Sequence, residues 1–216
     1  MNVLAIDSGS EILSLALLYE DTIYEVTLNL GMSHIETLMP AIDTLFKESG
    51  SLPDALNLIA VGAGPGSFTG LRIGSATAKG ISLATHIPMV SVPSLKAYAY
   101  GCEGEVVLAV LDARKKRFYA ELYDKGIKIG NTLDAGASEL RKLTTGYLRV
   151  MLTGGGAPLL KKELTEARYH LDKNWSAGKA RFLIDDAIEK FNRSGADPDD
   201  SGPDYLRLSD AEILCL

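Results

Sequence analysis

Two rhythms of apolar residues alternate along this chain, and the alternation runs twice in the same order. Val3-Leu4-Ala5-Ile6 is a continuous apolar run ending at Asp7, and Leu13 to Leu18 is a second one after the turn Ser8-Gly9-Ser10. Glu20-Asp21 turns the chain again, and Tyr24, Val26 and Leu28 then alternate with Glu25, Thr27 and Asn29, the period of a half-exposed strand. A three-stranded meander is predicted. From residue 34 the period becomes helical: Ile35, Leu38, Met39, Ile42, Leu45 and Phe46 form one stripe. Ser33 and Glu36 supply a capping box at its start, and Pro40 removes one backbone hydrogen bond, so a bend is expected there. Leu58 to Val61 suits a strand buried on both faces, and a small-residue helix follows over 70–85.

At Val106 the pattern restarts, with Leu108 to Asp112, a charged turn, Phe118 to Tyr123 and Asp124-Lys125-Gly126 before Ile127. Tyr147 to Leu152 later runs into Thr153-Gly154-Gly155-Gly156 much as Leu58 to Val61 runs into its own glycines. This self-similarity points to a diverged internal duplication. A meander followed by alternating helices and strands, used twice, predicts an α/β fold of two lobes, 1–103 and 104–216, with the joint at Gly101 to Glu105. Asp7 and Asp112 end equivalent strands and are expected to face the cleft between the lobes. A further helix over 177–193 carries Leu183, Ile184, Ala187, Ile188 and Phe191 at helical spacing and is able to pack back on the first lobe.

The densest glycine signal is Gly62, Gly64, Gly66 and Gly70, where strand meets helix. Glycines there let the backbone turn sharply or come close to a neighbour, and a phosphate cradle is the first candidate. The spacing does not match it: Gly70 is followed by Leu71-Arg72, which excludes a Walker A loop, and G-x-G-x-x-G does not occur. Gly70, Gly74 and Ala78, with Ser75, Thr77 and Ile81 beside them, form a strip of low bulk. Either the chain's own sheet or a second helix is expected to lie close against it.

Composition narrows the functional classes. With 216 residues, 46% hydrophobic content and no apolar run of membrane-spanning length, a folded, cytoplasmic protein is expected. A net charge of −6 excludes a broad nucleic-acid-binding face, leaving only Arg114-Lys115-Lys116-Arg117 at a predicted hairpin tip as a local basic patch. Cys102 and Cys215 lack metal or redox spacing, and His34, His86 and His170 have no second ligand within a helical turn, so no metal site is expected. Ser67 is not in a G-x-S-x-G elbow.

Asp7-Ser8-Gly9-Ser10 is similar to the first phosphate loop of the actin, Hsp70 and sugar-kinase superfamily, whose ribonuclease-H-like lobes clasp a nucleotide. Asp112-Ala113-Arg114 occupies the second loop without its glycine, and Gly154 and Gly155 resemble a remnant of the adenosine motif. Within that superfamily, Gly64-Pro65-Gly66-Ser67-Phe68-Thr69-Gly70-Leu71-Arg72-Ile73-Gly74 resembles the signature of the TsaB (YeaZ) family. The helix from Ser33 to Pro40, Leu111 to Arg114, and Pro203 to Arg207 support the likeness, although the family's His-Ser-Glu appears as His34-Ile35-Glu36.

The resemblance implies a non-catalytic subunit for threonylcarbamoyladenosine formation beside the anticodon of ANN-decoding tRNAs. Its implied partners are TsaD as a heterodimer and the ATPase TsaE in a ternary complex, with homodimers when alone and tRNA reached only through the complex. It implies no required cofactor, and at most weak ATP or ADP binding at the lobe or partner interface, in a cleft of Asp7, Ser8, Ser10, Asp112, Gly154 and Gly155. The docking surface expected is the helix pair, through Ile35, Leu38, Met39, Ile42, Leu45, Gly70, Leu71, Arg72, Gly74, Ser75, Thr77, Ala78 and Ile81. Alternatives are a nucleotide-dependent kinase or ATPase, with Asp7 and Asp112 holding magnesium through water, and a metalloprotease.

Overall fold

The computed structural model describes residues 1–29 and 34–206. Ser33 of the capping box, Arg207 and Cys215 lie outside the described residues. The first lobe opens with β1 (Val3–Asp7), β2 (Ile12–Tyr19) and β3 (Thr22–Asn29), then α1 (His34–Ser49), β4 (Leu58–Gly64), α2 (Phe68–Thr85), β5 (Met89–Pro93) and α3 (Ser94–Tyr100). The second contains β6 (Val106–Asp112), β7 (Phe118–Asp124), β8 (Ile127–Ala135), α4 (Ala137–Leu143), β9 (Val150–Thr153), α5 (Ala157–Glu163) and β10 (Tyr169–Leu171), and α6 (Arg181–Ser194) closes the series.

The two sheets have one topology. In the first, the order is β3-β2-β1-β4-β5, with an antiparallel meander and β4 and β5 parallel to β1. In the second, β8-β7-β6-β9-β10 repeats that order and those directions. This is the two-lobed α/β arrangement expected from the repeated hydrophobic pattern.

Continuous apolar runs make β1, β2 and β4 buried on both faces, so each sheet needs a helical layer on either side. On the first sheet α1 supplies Leu38, Ile42 and Leu45 and α2 supplies Ala78 to one face. The other face, through Val3, Ala5, Ala16 and Leu58, meets Leu183, Ile184 and Ala187 of α6. The second sheet is covered by α4 and α5 through Leu140, Ala157 and Leu160, and behind by Leu95 and Tyr98 of α3.

α6 thus belongs structurally to the first lobe, although it follows the second in sequence. It starts at Arg181 rather than 177. Before it the chain is drawn onto β2, where the amide of Ala180 donates to Ser14 Oγ at 3.0 Å, a bond that ties this residue to another element. α2 likewise starts two residues before the expected 70, because Ser67 caps it, its hydroxyl accepting from the Gly70 amide at 3.3 Å. The strand expected from Tyr147 begins only at Val150.

Because Leu183 is fully buried between α6 and the first sheet, Leu183→Ala is expected to cost about 2–5 kcal/mol in urea unfolding. Loss of less than about 1 kcal/mol would mean that α6 is not part of the first lobe's core.

Candidate functional site

The turn after β1 and the start of α2 meet backbone to backbone. The Ser67 amide donates to the Gly9 carbonyl at 2.7 Å, and a Cβ on Gly66 would collide with that same carbonyl. A Cβ on Gly70 would collide with the Ser8 carbonyl, and one on Gly74 with Ser8 Oγ. Ser8 Oγ in turn donates to the Gly70 carbonyl at 2.8 Å. At the head of α1, buried His34 places Nε2 2.6 Å from the Ser10 carbonyl, so Nε2–H donates there. One four-residue turn therefore carries the first turns of both helices.

This corrects the expected docking surface. Gly70, Leu71, Gly74 and Ala78 are buried; the small Gly70, Gly74 and Ala78 admit the chain's own β1 turn and sheet rather than a second molecule, and Leu71 packs against the same turn. Leu38, Ile42 and Leu45 are core residues as well, with Ile42 also reaching the groove between the helices. Ser75 faces the C-terminal run near Gly202 and Pro203. What remains outward is Ile35, 74% exposed, Met39, 54% exposed, Arg72, and the half-buried Thr77 and Ile81. Met39, Ile42, Phe46, Pro53, Thr77, Gly80, Ile81 and Ala84 line an almost wholly apolar groove of about 460 Å³ between α1 and α2. Gly80 and Ala84 did not stand out in the sequence, although their i, i+4 spacing is the available signal.

Of the glycines between residues 62 and 74, only Gly64 holds a left-handed φ (+116°), next to a cis Gly64–Pro65 peptide. Gly62 is required instead by Ser94 Oγ and the Asp7 carboxylate, which lie where a Cβ would be. Phe68 stacks on Tyr205 with ring centroids 4.7 Å apart, Arg72 lies 3.9 Å over Phe68, and its Nε donates to Tyr205 Oη at 3.1 Å. The motif thereby also holds the C-terminal run, where the Asp204 amide donates to the Ala63 carbonyl at 2.8 Å.

Between the lobes lies a cleft of about 450 Å³, walled by Gly9, Ser10, Glu11, Phe68 and Thr69 on one side and Asp112, Arg114, Gly155, Leu159 and Trp175 on the other. Ser10, Asp112 and Gly155 face it as expected, but Asp7, Ser8 and Gly154 do not. Asp7 is sealed behind the turn at 1% exposure, its Oδ1 accepting from the Gly9 amide at 3.2 Å and from Ser94 Oγ at 3.5 Å. Burial raises its pKa above the usual carboxylate value, against the opposing pull of those hydrogen bonds and of His34. Asp7 Oδ2 and His34 Nδ1 are buried without a hydrogen-bond partner. Gly154 (φ +92°) packs on the Val110 backbone.

Asp112 accepts from the Arg114 amide at 2.8 Å and so closes the β6–β7 turn. The basic run is largely matched internally: Arg114 pairs with Glu11 and Asp112, and Arg117 with Asp134 and Glu139. Burial pushes the Cys102 thiol up to about 12, which makes it unreactive. Among the described residues no group of three His, Cys, Asp or Glu side chains comes together to hold a metal ion, and no helix is long and apolar enough to cross a membrane.

A family model described as TsaD, tRNA N6-adenosine threonylcarbamoyltransferase, matches residues 30–182. The tRNA threonylcarbamoyladenosine biosynthesis protein TsaB of Escherichia coli K12 is 35% identical over 129 residues, 58% of this chain and 56% of that protein. The protein of the same name from Bacillus subtilis 168 is 36% identical over 126 residues, 57% and 55% of the two chains. The chain spans about half the length of the curated relatives it matches. Among solved structures, YeaZ from Pseudomonas aeruginosa is 26% identical with a TM-score of 0.78, over 95% of this chain and 99% of that one.

Two outcomes follow from the geometry. Gly74→Leu is expected to lower unfolding stability by about 3 kcal/mol or more, since the side chain must displace Ser8; a stable Gly74→Leu chain would place the strip outside the core. Asp7→Asn is expected to stabilise the chain at neutral pH. A carboxyl whose folded pKa is raised loses stability as pH climbs from the unfolded value, 3.8, to the folded one. The gain should therefore vanish in urea titrations below about pH 3.8, and a pH-independent difference would refute the burial account.

Proposed function

The chain belongs to the TsaD family, tRNA N6-adenosine threonylcarbamoyltransferase, and within it we propose that it is a cytoplasmic, non-catalytic subunit of tRNA threonylcarbamoyladenosine biosynthesis. It acts by pairing with TsaD, which transfers the threonylcarbamoyl group, together with TsaE. It reaches tRNA through the complex and self-associates when alone. The observation that carries the reading is the changed use of the β1 turn. Asp7 is withdrawn from the cleft and Ser8 is bonded to Gly70, so the groups that a phosphate and its cation would require are engaged within the fold, while the same turn anchors α2 through Ser8 and α1 through Ser10. Those helices present an apolar groove with Met39 on its wall, and Ile35 is exposed four residues earlier on α1. A partner built on the same lobe offers a similar helix pair, which suits a pseudo-twofold, four-helix contact.

Nucleotide binding is a second reading, favoured by one observation: the cleft keeps about 450 Å³ of space with Arg114 and Trp175 on its wall. Weak ATP or ADP binding without turnover is compatible with the subunit role.

Threonylcarbamoyl transfer to tRNA by TsaD, TsaE and the threonylcarbamoyl-adenylate synthase is expected to require this chain, which alone turns nothing over. Met39→Asp combined with Gly80→Arg should abolish that stimulation and TsaD binding while changing stability by no more than about 0.5–1 kcal/mol, because Met39 is exposed and a Cβ on Gly80 meets nothing. Full transfer without the chain, or ATP hydrolysis by the chain alone, would overturn the proposal.

A further inference from the structure

Two segments cross between the lobes, residues 101–105 outward and residues 172–180 on the return, and a single buried ammonium joins them. Lys179 is only 3% exposed. Its Nζ donates to the Gly101 carbonyl at 2.8 Å and lies 3.8 Å from Asp172 Oδ2. Asp172, also buried, is fastened to the second lobe, accepting from Thr153 Oγ1 at 2.8 Å at the end of β9 and from the Asn174 amide at 3.0 Å.

The backbone on either side of Lys179 is fastened to the first lobe. Gly178 passes so close to Ser14 and Thr27 that a Cβ would collide with both hydroxyls, and Ala180 donates its amide to Ser14. Arg181 adds an ion pair to Glu25 at 3.3 Å. Lys179 is therefore rooted in one lobe while its charge is held by the other and by the outgoing linker.

An apolar side chain would fill this junction with less desolvation cost, so what the ionic arrangement adds is direction: one relative placement satisfies the ammonium, the carboxylate and the carbonyl together. Glu11 and Arg114, on opposite walls of the cleft, lie 3.4 Å apart and are both well exposed, a contact of small energy. Apart from α3, whose Leu95 and Tyr98 pack on the second sheet, each lobe has its own core, so the lobes can rotate about α3 without either unfolding.

We propose that the Lys179–Asp172–Gly101 staple sets the angle between the lobes, holding the cleft at one width with no ligand bridging it. This holds independently of which partner covers the α1–α2 groove.

The test is a double electron–electron resonance measurement on the full chain, with spin labels at Thr69→Cys and Leu159→Cys on opposite walls of the cleft and Cys215→Ser in the background; Cys102, whose thiol lies beside Asp172 and Thr153 at the staple and is unreactive, is kept. The otherwise unaltered chain is expected to give one narrow distance distribution. Lys179→Met should lengthen the mean and broaden the distribution about twofold, as hinge release does, and the milder Asp172→Asn should move it the same way. Glu11→Gln at the mouth should leave it unchanged. A broad distribution before any hinge substitution overturns the proposal, and this arm needs no destabilised variant. So does an unchanged narrow distribution in folded Asp172→Asn, or broadening by Glu11→Gln equal to that of the hinge variants.

Discussion

The first lobe is organised by the distance at which two stretches of backbone touch. Residues 7–10 and residues 62–74 approach so closely that Gly62, Gly66, Gly70 and Gly74 each stand where a Cβ would strike the β1 turn or the side chains bonded to it. Close approach lets short side chains bridge the gap. Ser8 reaches the Gly70 carbonyl, the Ser67 amide reaches Gly9, and His34 reaches Ser10 from the far side. These bonds use up the polar groups of the turn: the Gly9 amide goes to Asp7, and the Ser10 hydroxyl to Ile12 and Tyr98. A turn saturated in this way offers few free donors to an incoming anion. The same contacts, buried from water, fix where α1 and α2 begin.

The second lobe started from the same plan and resolved it differently. Strand order and direction are repeated, and Asp112 ends β6 as Asp7 ends β1. Yet Asp112 stays at the cleft and folds the next turn, where Arg114, Lys115 and Lys116 hold φ of 63°, 54° and 59°. Left-handed backbone is unfavourable for side chains with a Cβ, and the Asp112–Arg114 bonds together with the Arg117 amide donating to the Arg114 carbonyl at 3.0 Å offset part of that cost. Glycines of the equivalent β9 turn are closed off as well: Gly154 and Gly156 rest on the backbone of Val110 to Asp112. Close backbone packing thus takes up glycines at the strand-end turns of both halves, by different residues.

Much of this was legible because period carries burial. The meanders, α1 and the duplication all follow from runs and stripes that local sequence fully determines. The strip Gly70, Gly74 and Ala78 shows the limit of such reading. Small residues at i, i+4 report that something lies close without saying what, and the answer depends on Ser8, sixty-two residues away. Asp7 was misplaced for the same reason: its direction is set by Ser94 and the Gly9 amide, not by its place at a strand end. Nothing in the local sequence marks Lys179 or Asp172, and their burial comes with the return of α6 to the first sheet. The start of α6 shifted because a hydroxyl on β2 captures the Ala180 amide before the helix begins.

These features bear on how well the apolar groove would serve as the proposed docking face. Association costs translational freedom and the ordering of whatever moves at the surface, so a face made of two loosely held helices would lose much of its hydrophobic gain. Here α1 and α2 are fixed at their first turns by bonds to one buried turn and along their length by the sheet core through Leu38, Leu45 and Ala78. The exposed side chains of Ile35 and Met39 therefore sit on a preformed frame. Rigidity of the face and withdrawal of Asp7 from the cleft are consequences of one set of contacts: drawing the β1 turn tightly against α2 buries the carboxylate and anchors the helices at once. A chain that loosened this turn to admit a phosphate would also release the helix pair, so phosphate binding at the turn and the proposed docking through α1 and α2 would draw on the same residues.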